Sequence, residues 1–246
     1  MLDWGYDGLA ETVQTLRAVG IRTAGAGVDE AEAAAPAIVD RPDQSRVLVF
    51  AFGTSSAGVP RHWAATKNHA GVNFLPELSP QAADDIARRI GAVRRAGDAI
   101  VASIHWGSNW GYGISNAQRA FAHRLIDAAA VDVVHGHSSH HPKGIEVYRD
   151  RVILFGCGDL LNDYEGIGGY ESFRSDLALM YFPTFDRASG RLIRFALTPT
   201  RIRNFRVNLA QQADARWLEE MLNREGRALG TRVEREGDSD LVLRWG

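Results

Sequence analysis

Residues 99–144 read AIVASIHWGSNWGYGISNAQRAFAHRLIDAAAVDVVHGHSSHHPKG, and the fold turns on how this stretch is read. Ala99–His105 is a strand-length apolar run, Asn116–Ala130 reads as a helix, and Val131–His135 is apolar again. Strand, helix and strand in succession predict parallel strands joined by a helical crossover. Each of the two strands is expected to end on a histidine, His105 and His135. In an open parallel sheet, ligands gather at the carboxyl ends of the strands. Both histidine groups are therefore expected at one sheet edge. The second group is dense: His135, His137, His140 and His141 are four of the chain's eight histidines.

The flanking sequence extends the same pattern. Toward the N-terminus, Asp7 is a candidate cap for a helix running to Val19, with Leu9, Val13 and Leu16 as its apolar positions. A short strand near Ile21–Ala24 and a small helix over Asp29–Ala35 follow. Arg46–Phe52 is near-continuously apolar, as in a strand covered on both faces. A loop rich in glycine, proline and serine leads to Ser79 and Pro80, which open a helix reaching about Ala96. Beyond the histidine loop, strands without helices between them are expected at Ile145–Tyr148, Val152–Phe155, Leu177–Phe185 and Leu192–Arg203. A glycine-rich loop, residues 156–170, separates the second from the third. A helix over Ala215–Leu229 and a weak strand at Leu241–Trp245 close the chain. The expected architecture is a single domain over residues 1–246, a layered α/β/α body with a mixed sheet.

The 246 residues include 45% hydrophobic and 24% charged, with a formal net charge of −2 and no acidic or basic block. Generic attraction to nucleic acid or to a membrane surface is not supported, and no nucleic-acid partner is expected. Cys157 stands alone, so no intrachain disulfide forms. No apolar run approaches the roughly 20 residues that span a bilayer, and the N-terminus lacks the pattern of a signal peptide.

Imidazole suits zinc, iron, manganese or nickel, with an outer partner fixing its tautomer. Two strand-end histidine groups together point to a metal or phosphate site. His62, His69 and the mid-helix His123 read as ordinary hydrogen-bonded histidines.

IHWGSNWGY (104–112), followed by a helix and VDVVHGHSSHHPKGIEVYRDRVILFGCGD (131–159), resembles the CapA family of poly-γ-glutamate capsule synthesis proteins. LDWGYDGLAETVQTLRAVGIRTAGAG (2–27) carries the resemblance into the N-terminal part. It implies a calcineurin-like metallophosphoesterase fold. It also implies two divalent ions, of manganese, iron or zinc, with His105, His137 and His140 as ligand candidates. Gly136 and Gly144 keep the family's spacing, while Ser138 and Ser139 replace its middle His-Pro. Asp159 stands where the family usually has asparagine, and Asn109 where an acidic residue is common. Asp3 and Gly5 match the end of an Asn-Asn-His motif whose other residues would precede Met1. The family's first strands and half of its ligands are thus expected to be missing from this chain. Asn68-His69 lies in the wrong loop to replace them.

His135 and His141 are expected outside the ligand set, orienting it, facing substrate or simply solvated. Ser138, Ser139 and Lys143 are candidates for contact with an anionic substrate. No residue is assigned a catalytic step. The resemblance leaves three functions open: capsule-polymer synthesis or export, hydrolysis of phosphate esters or a related bond, and a non-catalytic binding role. An anionic polymer or phosphate-containing substrate and capsule-synthesis membrane partners are the expected partners. The sequence leaves the location open: cytoplasmic as read, or the cell envelope if a signal or anchor precedes it.

Overall fold

A computed structural model describes residues 2–162, 167–237 and 239–246. The part of the glycine-rich loop at 163–166 lies outside the described residues. The chain divides into two compact units, residues 1–106 with 116–134, and residues 107–115 with 135–246.

The first unit begins with α1 (Gly5–Ala18), whose Leu9 and Val13 pack with Leu2, Val59 and Val72. Trp4, not Asp7, holds the cap position, and Asp7 sits in the first turn, where its charge complements the helix dipole. No strand forms at 21–24; the next one is β1 (Ala26–Gly27). Asp29 caps α2 (Glu30–Ala34) by accepting the Glu32 N–H at 2.8 Å. β2 (Ala37–Asp40), which the sequence pattern did not separate from its surroundings, runs antiparallel to β3 (Arg46–Thr54). β4 (Gly71–Val72) pairs with β1, and β5 (Phe74–Leu75) joins the end of β3 in parallel. Ser79 caps α3 (Pro80–Val93) through the Ala82 N–H, with proline in the first turn as expected. β6 (Ala99–His105) lies parallel to β3, so this sheet is mixed, in the order β2-β3-β6. α4 (Asn116–Ala129) packs beside α3, and the Arg124 guanidinium reaches Asp84 at 2.7 Å.

One face of β3 and β6 is deeply buried through Leu48, Phe50, Ile100, Ala102 and Ile104. The other face of β3 is only partly covered, which corrects the expectation of equal burial on both sides. Val49, Ala51 and Ser103 there line an open cavity of about 700 Å³ with Arg22 and Val39. The starts of the central strands are fixed by polar groups. Arg46 and Asp98 form a buried two-pronged ion pair at 3.0 and 2.5 Å, and Asp132 accepts the Ile100 N–H at 2.8 Å. With its origin fixed, β6 delivers His105 at its carboxyl end, where the His105 carbonyl accepts from Thr54 Oγ1 at 2.9 Å.

β7 (Val133–His137) carries the chain into the second unit. It starts two residues later than the apolar pattern suggests, because Asp132 is already engaged with β6. β8 (Ile145–Tyr148) and β9 (Arg151–Leu154) form a hairpin, turned at Arg149 and Asp150 with φ of 49° and 58°. β10 (Leu177–Phe185) and β11 (Leu192–Arg203) pair antiparallel along their length. β12 (Arg206–Leu209) folds back on the end of β11, and α5 (Gln212–Gly226) leads to β13 (Thr231–Glu236) and β14 (Asp240–Trp245). The order is β10-β11-β14-β13, so β14, expected to be a weak final strand, sits inside the sheet. β13 escaped sequence reading because its alternation, TRVERE, is mostly charged. Thr231 Oγ1 donates to the Ile145 carbonyl at 2.6 Å, tying β13 to β8. Among the described residues no helix is long and apolar enough to cross a membrane.

Ile100 is fully buried in β6. Replacing it with alanine should lower unfolding stability by about 2–5 kcal/mol, read as a shift in urea midpoint. Val19→Ala, at a position 68% exposed, should stay within about 0.5 kcal/mol of wild type.

Candidate functional site

The loop after β7 is pinned to the strand end after β9. Lys143 N–H donates to the Gly156 carbonyl at 2.9 Å, and Pro142 bridges Cys157 antiparallel. The approach is close enough to require glycine at 156: a β-carbon there would lie 2.2 Å from Ser139 Oγ and 2.9 Å from Lys143 Cγ. This pinning sets Asp159 opposite His140, and Asp159 Oδ2 lies 2.8 Å from His140 Nδ1. Asn162 Nδ2 donates more weakly to the same oxygen at 3.4 Å. A carboxylate at Nδ1 holds the proton there and leaves the Nε2 lone pair for a proton or a metal ion.

The segment Gly107–Asn109 braces the loop from the other side. His140 N–H donates to the Asn109 carbonyl at 3.0 Å, and Ser138 Oγ donates to Gly107 O at 3.2 Å and Asn109 Oδ1 at 3.3 Å. Ser138 has φ of 137°, an unfavourable conformation for a side-chain-bearing residue. Such strain survives only where surrounding contacts enforce it, and here both sides of the loop do.

His135 and His137, two apart on β7, have ring centroids 5.3 Å apart. Burial pushes the His135 imidazole below its ordinary pKa, which favours the neutral, ligand-competent form. Ser139, His141 and Lys143 are turned inward, with exposures of 4%, 0% and 4%. Ser139 Oγ donates to the His141 carbonyl at 2.8 Å. Among the described residues Lys143 Nζ reaches only the Gly113 carbonyl, at 3.4 Å, and burial lowers its pKa. His141 Nδ1 donates to the Pro142 carbonyl at 3.0 Å, and among the described residues its Nε2 has no hydrogen-bond partner.

Sequence reasoning missed an aromatic wall around these histidines. The Trp110 ring lies 5.3 Å from His140 and stacks on Tyr170 at 4.1 Å. His141 is enclosed by Phe173 at 4.7 Å, Tyr112 at 4.7 Å and Trp110 at 6.1 Å. The paired aromatics in WGSNWGY were a signal for half of this wall.

The second unit therefore brings together His140 with Asp159, His135 with His137, and Asn109 with Ser138 and His140. His105, at the end of β6, and the exposed Asp3, ahead of α1, belong to the first unit. Among the described residues, no three histidine, cysteine or acidic side chains gather closely enough to hold a metal ion. His140 and Asp159 alone fall short of the four ligands of a typical structural zinc site.

Burial in this apolar setting lowers the His141 pKa from 6.5 to about 4. Between those values the unfolded chain binds the extra proton, so stability should fall as pH drops through this window, by on the order of 2 kcal/mol. His141→Phe removes the titrating group while keeping a ring in the slot. Its urea midpoint should depend less on pH between 6.5 and 4 than that of wild type.

Comparison with known proteins agrees with this frame. Residues 1–164 match the family described as bacterial capsule synthesis protein PGA_cap. The chain is 46% identical over 244 residues to a probable polyglutamine synthesis accessory protein of Mycobacterium tuberculosis, covering 99% of this chain and 64% of the relative. It is 23% identical over 163 residues to the capsule biosynthesis protein CapA of Bacillus anthracis, covering 66% and 38%. The chain thus spans less than two thirds of the length of these relatives. The matched segment contains β6, the histidine loop and Asp159. This chain belongs to the PGA_cap family of bacterial capsule synthesis proteins.

Proposed function

We propose that this chain is an accessory protein in the synthesis or export of a glutamyl capsule polymer, working through the His140–Asp159 pair. The pair itself carries the reading: an imidazole held by a carboxylate at Nδ1, partly open to solvent and walled by Trp110. Asp159 orients the ring and, by holding Nδ1, leaves Nε2 as the atom that accepts a proton from, or donates one to, a bound group. Family membership supports the polymer as the context, since the relatives' names describe polyglutamine and capsule synthesis. The polymer and the membrane-bound synthesis machinery are its proposed partners.

His137 and His140 in the second unit, and separately His105 in the first, remain proposed ligands to divalent ions, each of which would need further ligands beyond these. The support is imidazole donor chemistry, together with the carboxylate behind His140 that metal-bound histidines commonly have. The same pair also favours a second reading, hydrolysis of phosphate esters, because a carboxylate-fixed imidazole serves as a general acid–base unit in hydrolytic sites.

In a polymer-producing host lacking this gene, wild type should restore polymer yield, measured as glutamate released by acid hydrolysis. His140→Ala should fail, Asp159→Asn should lose roughly 10–100-fold, and His123→Ala should match wild type. Full restoration by His140→Ala would overturn the assignment. Elemental analysis of His105→Ala, His137→Ala and His140→Ala after incubation with manganese or zinc tests the ion holders. Equal metal content in these variants and in wild type would remove them. His140-dependent cleavage of p-nitrophenyl phosphate, without any effect on polymer, would favour the second reading.

A further inference from the structure

The β11–β12 hairpin of the second unit gathers three arginines, of which Arg201 is ion-paired, while among the described residues Arg203 and Arg206 have no acidic partner. Arg201 and Arg203 lie two apart on β11 and so project from one face. Arg206 of β12 is the direct cross-strand partner of Arg203, and Asn208 that of Arg201. Like charges placed directly opposite on a sheet repel. Both Arg203 and Arg206 are exposed, and among the described residues neither has an acidic partner.

The hairpin is also held stiffly. Asn204 and Phe205 both take φ of 53°, the two-residue turn that suits a tight hairpin but disfavours a phenylalanine. Asn208 Nδ2 clamps the turn by donating to the carbonyls of Arg203 at 3.2 Å and Arg206 at 2.9 Å.

Next to the hairpin lies an open cavity of about 610 Å³, lined by Arg174, Ser175, Asp176, Arg201 and Arg203. Arg174 and Arg201 share Asp176 and Asp214 in a closed ring of ion pairs at 2.7–3.1 Å. The ring is charge-balanced and fixes both guanidinium groups. Nη1 of Arg174 and Nη2 of Arg201 take no part in it. Glu171, on the cavity rim, has Oε1 engaged by the Gly169 N–H at 2.8 Å. Spare donors on a rigid ring, beside two unpaired arginines, make a surface for planar anions.

We propose that Arg203 and Arg206, with the Arg174–Arg201 cavity beside them, bind an extended chain of carboxylates. One carboxylate on an exposed arginine is worth little. Several on one backbone, meeting several preplaced arginines, gain affinity through effective concentration. The ligand is therefore a polymer segment and not a free amino acid. This inference rests on the reading of the chain as a glutamyl-polymer accessory protein and gives that reading a contact surface away from the histidine loop's own residues.

The test is fluorescence anisotropy with a labelled short γ-linked glutamate oligomer at low salt, with unlabelled glutamate and inorganic polyphosphate as competitors. Wild type should bind the oligomer, added salt should weaken binding, and free glutamate should not compete. Arg203→Ala/Arg206→Ala should bind about tenfold more weakly with an unchanged circular dichroism spectrum and urea midpoint. Oligomer binding unaffected by this double variant would overturn the groove while leaving the polymer reading in place. Failure of wild type to bind the oligomer would overturn the groove, and failed complementation by wild type would separately overturn the polymer reading. Binding of polyphosphate in preference to the oligomer would replace the carboxylate assignment with a phosphate one.

Discussion

The candidate site depends on the contact between residues 142–143 and 156–157. The two segments continue the register of the β8–β9 hairpin and are zipped by the Lys143–Gly156 hydrogen bond and the Pro142–Cys157 bridge. Only glycine at 156 permits the approach, because a side chain there would overlap Ser139 Oγ and the Lys143 stem. Every feature of the site follows from that register. Asp159 stands two residues beyond the bridge and meets His140, and the loop just ahead of His140 carries the strained φ at Ser138. A shift of one residue along this contact would move Asp159 away from the imidazole and return its carboxylate to solvent.

The same packing divides the loop's residues into two roles. His140 remains partly open, with a paired Nδ1. Ser139, His141 and Lys143 point into the unit and stabilise the loop that presents it. The apolar ring around His141 makes its charged form unfavourable, so this imidazole is neutral near neutral pH and behaves as a flat packing element among Phe173, Tyr112 and Trp110. Lys143 is buried, with one long contact among the described residues, and burial disfavours its charged form.

Much of the frame was legible in the sequence because apolar runs and caps report local physics. β6, β10 and β11 have the boundaries that their apolar patterns suggest, and Ser79-Pro80 marks the start of α3. Errors arose where a tertiary partner changed the outcome. Asp132 is claimed by the Ile100 amide, so β7 begins later, and it runs on to His137, which the apolar pattern placed beyond the strand. β12 and β13 are too short or too charged to stand out alone and are recruited by β11 and β14. His140 and Asp159 could each be named from sequence, but their pairing required the 142–157 register. The aromatic wall was less legible still, since Tyr170 and Phe173 approach Trp110 from some sixty residues away.

The central claim is that Asp159 fixes the tautomer of His140 and leaves Nε2 as its working atom. Long-range proton–nitrogen NMR of the ¹⁵N-histidine-labelled protein reads this directly, with the His140 signals assigned from the His140→Ala spectrum. For the neutral form of the His140 ring, the account predicts the proton on Nδ1 in wild type, and loss of that single tautomer in Asp159→Ala. A His140 ring protonated on Nε2, or averaging between tautomers in wild type as it does in the variant, would contradict it.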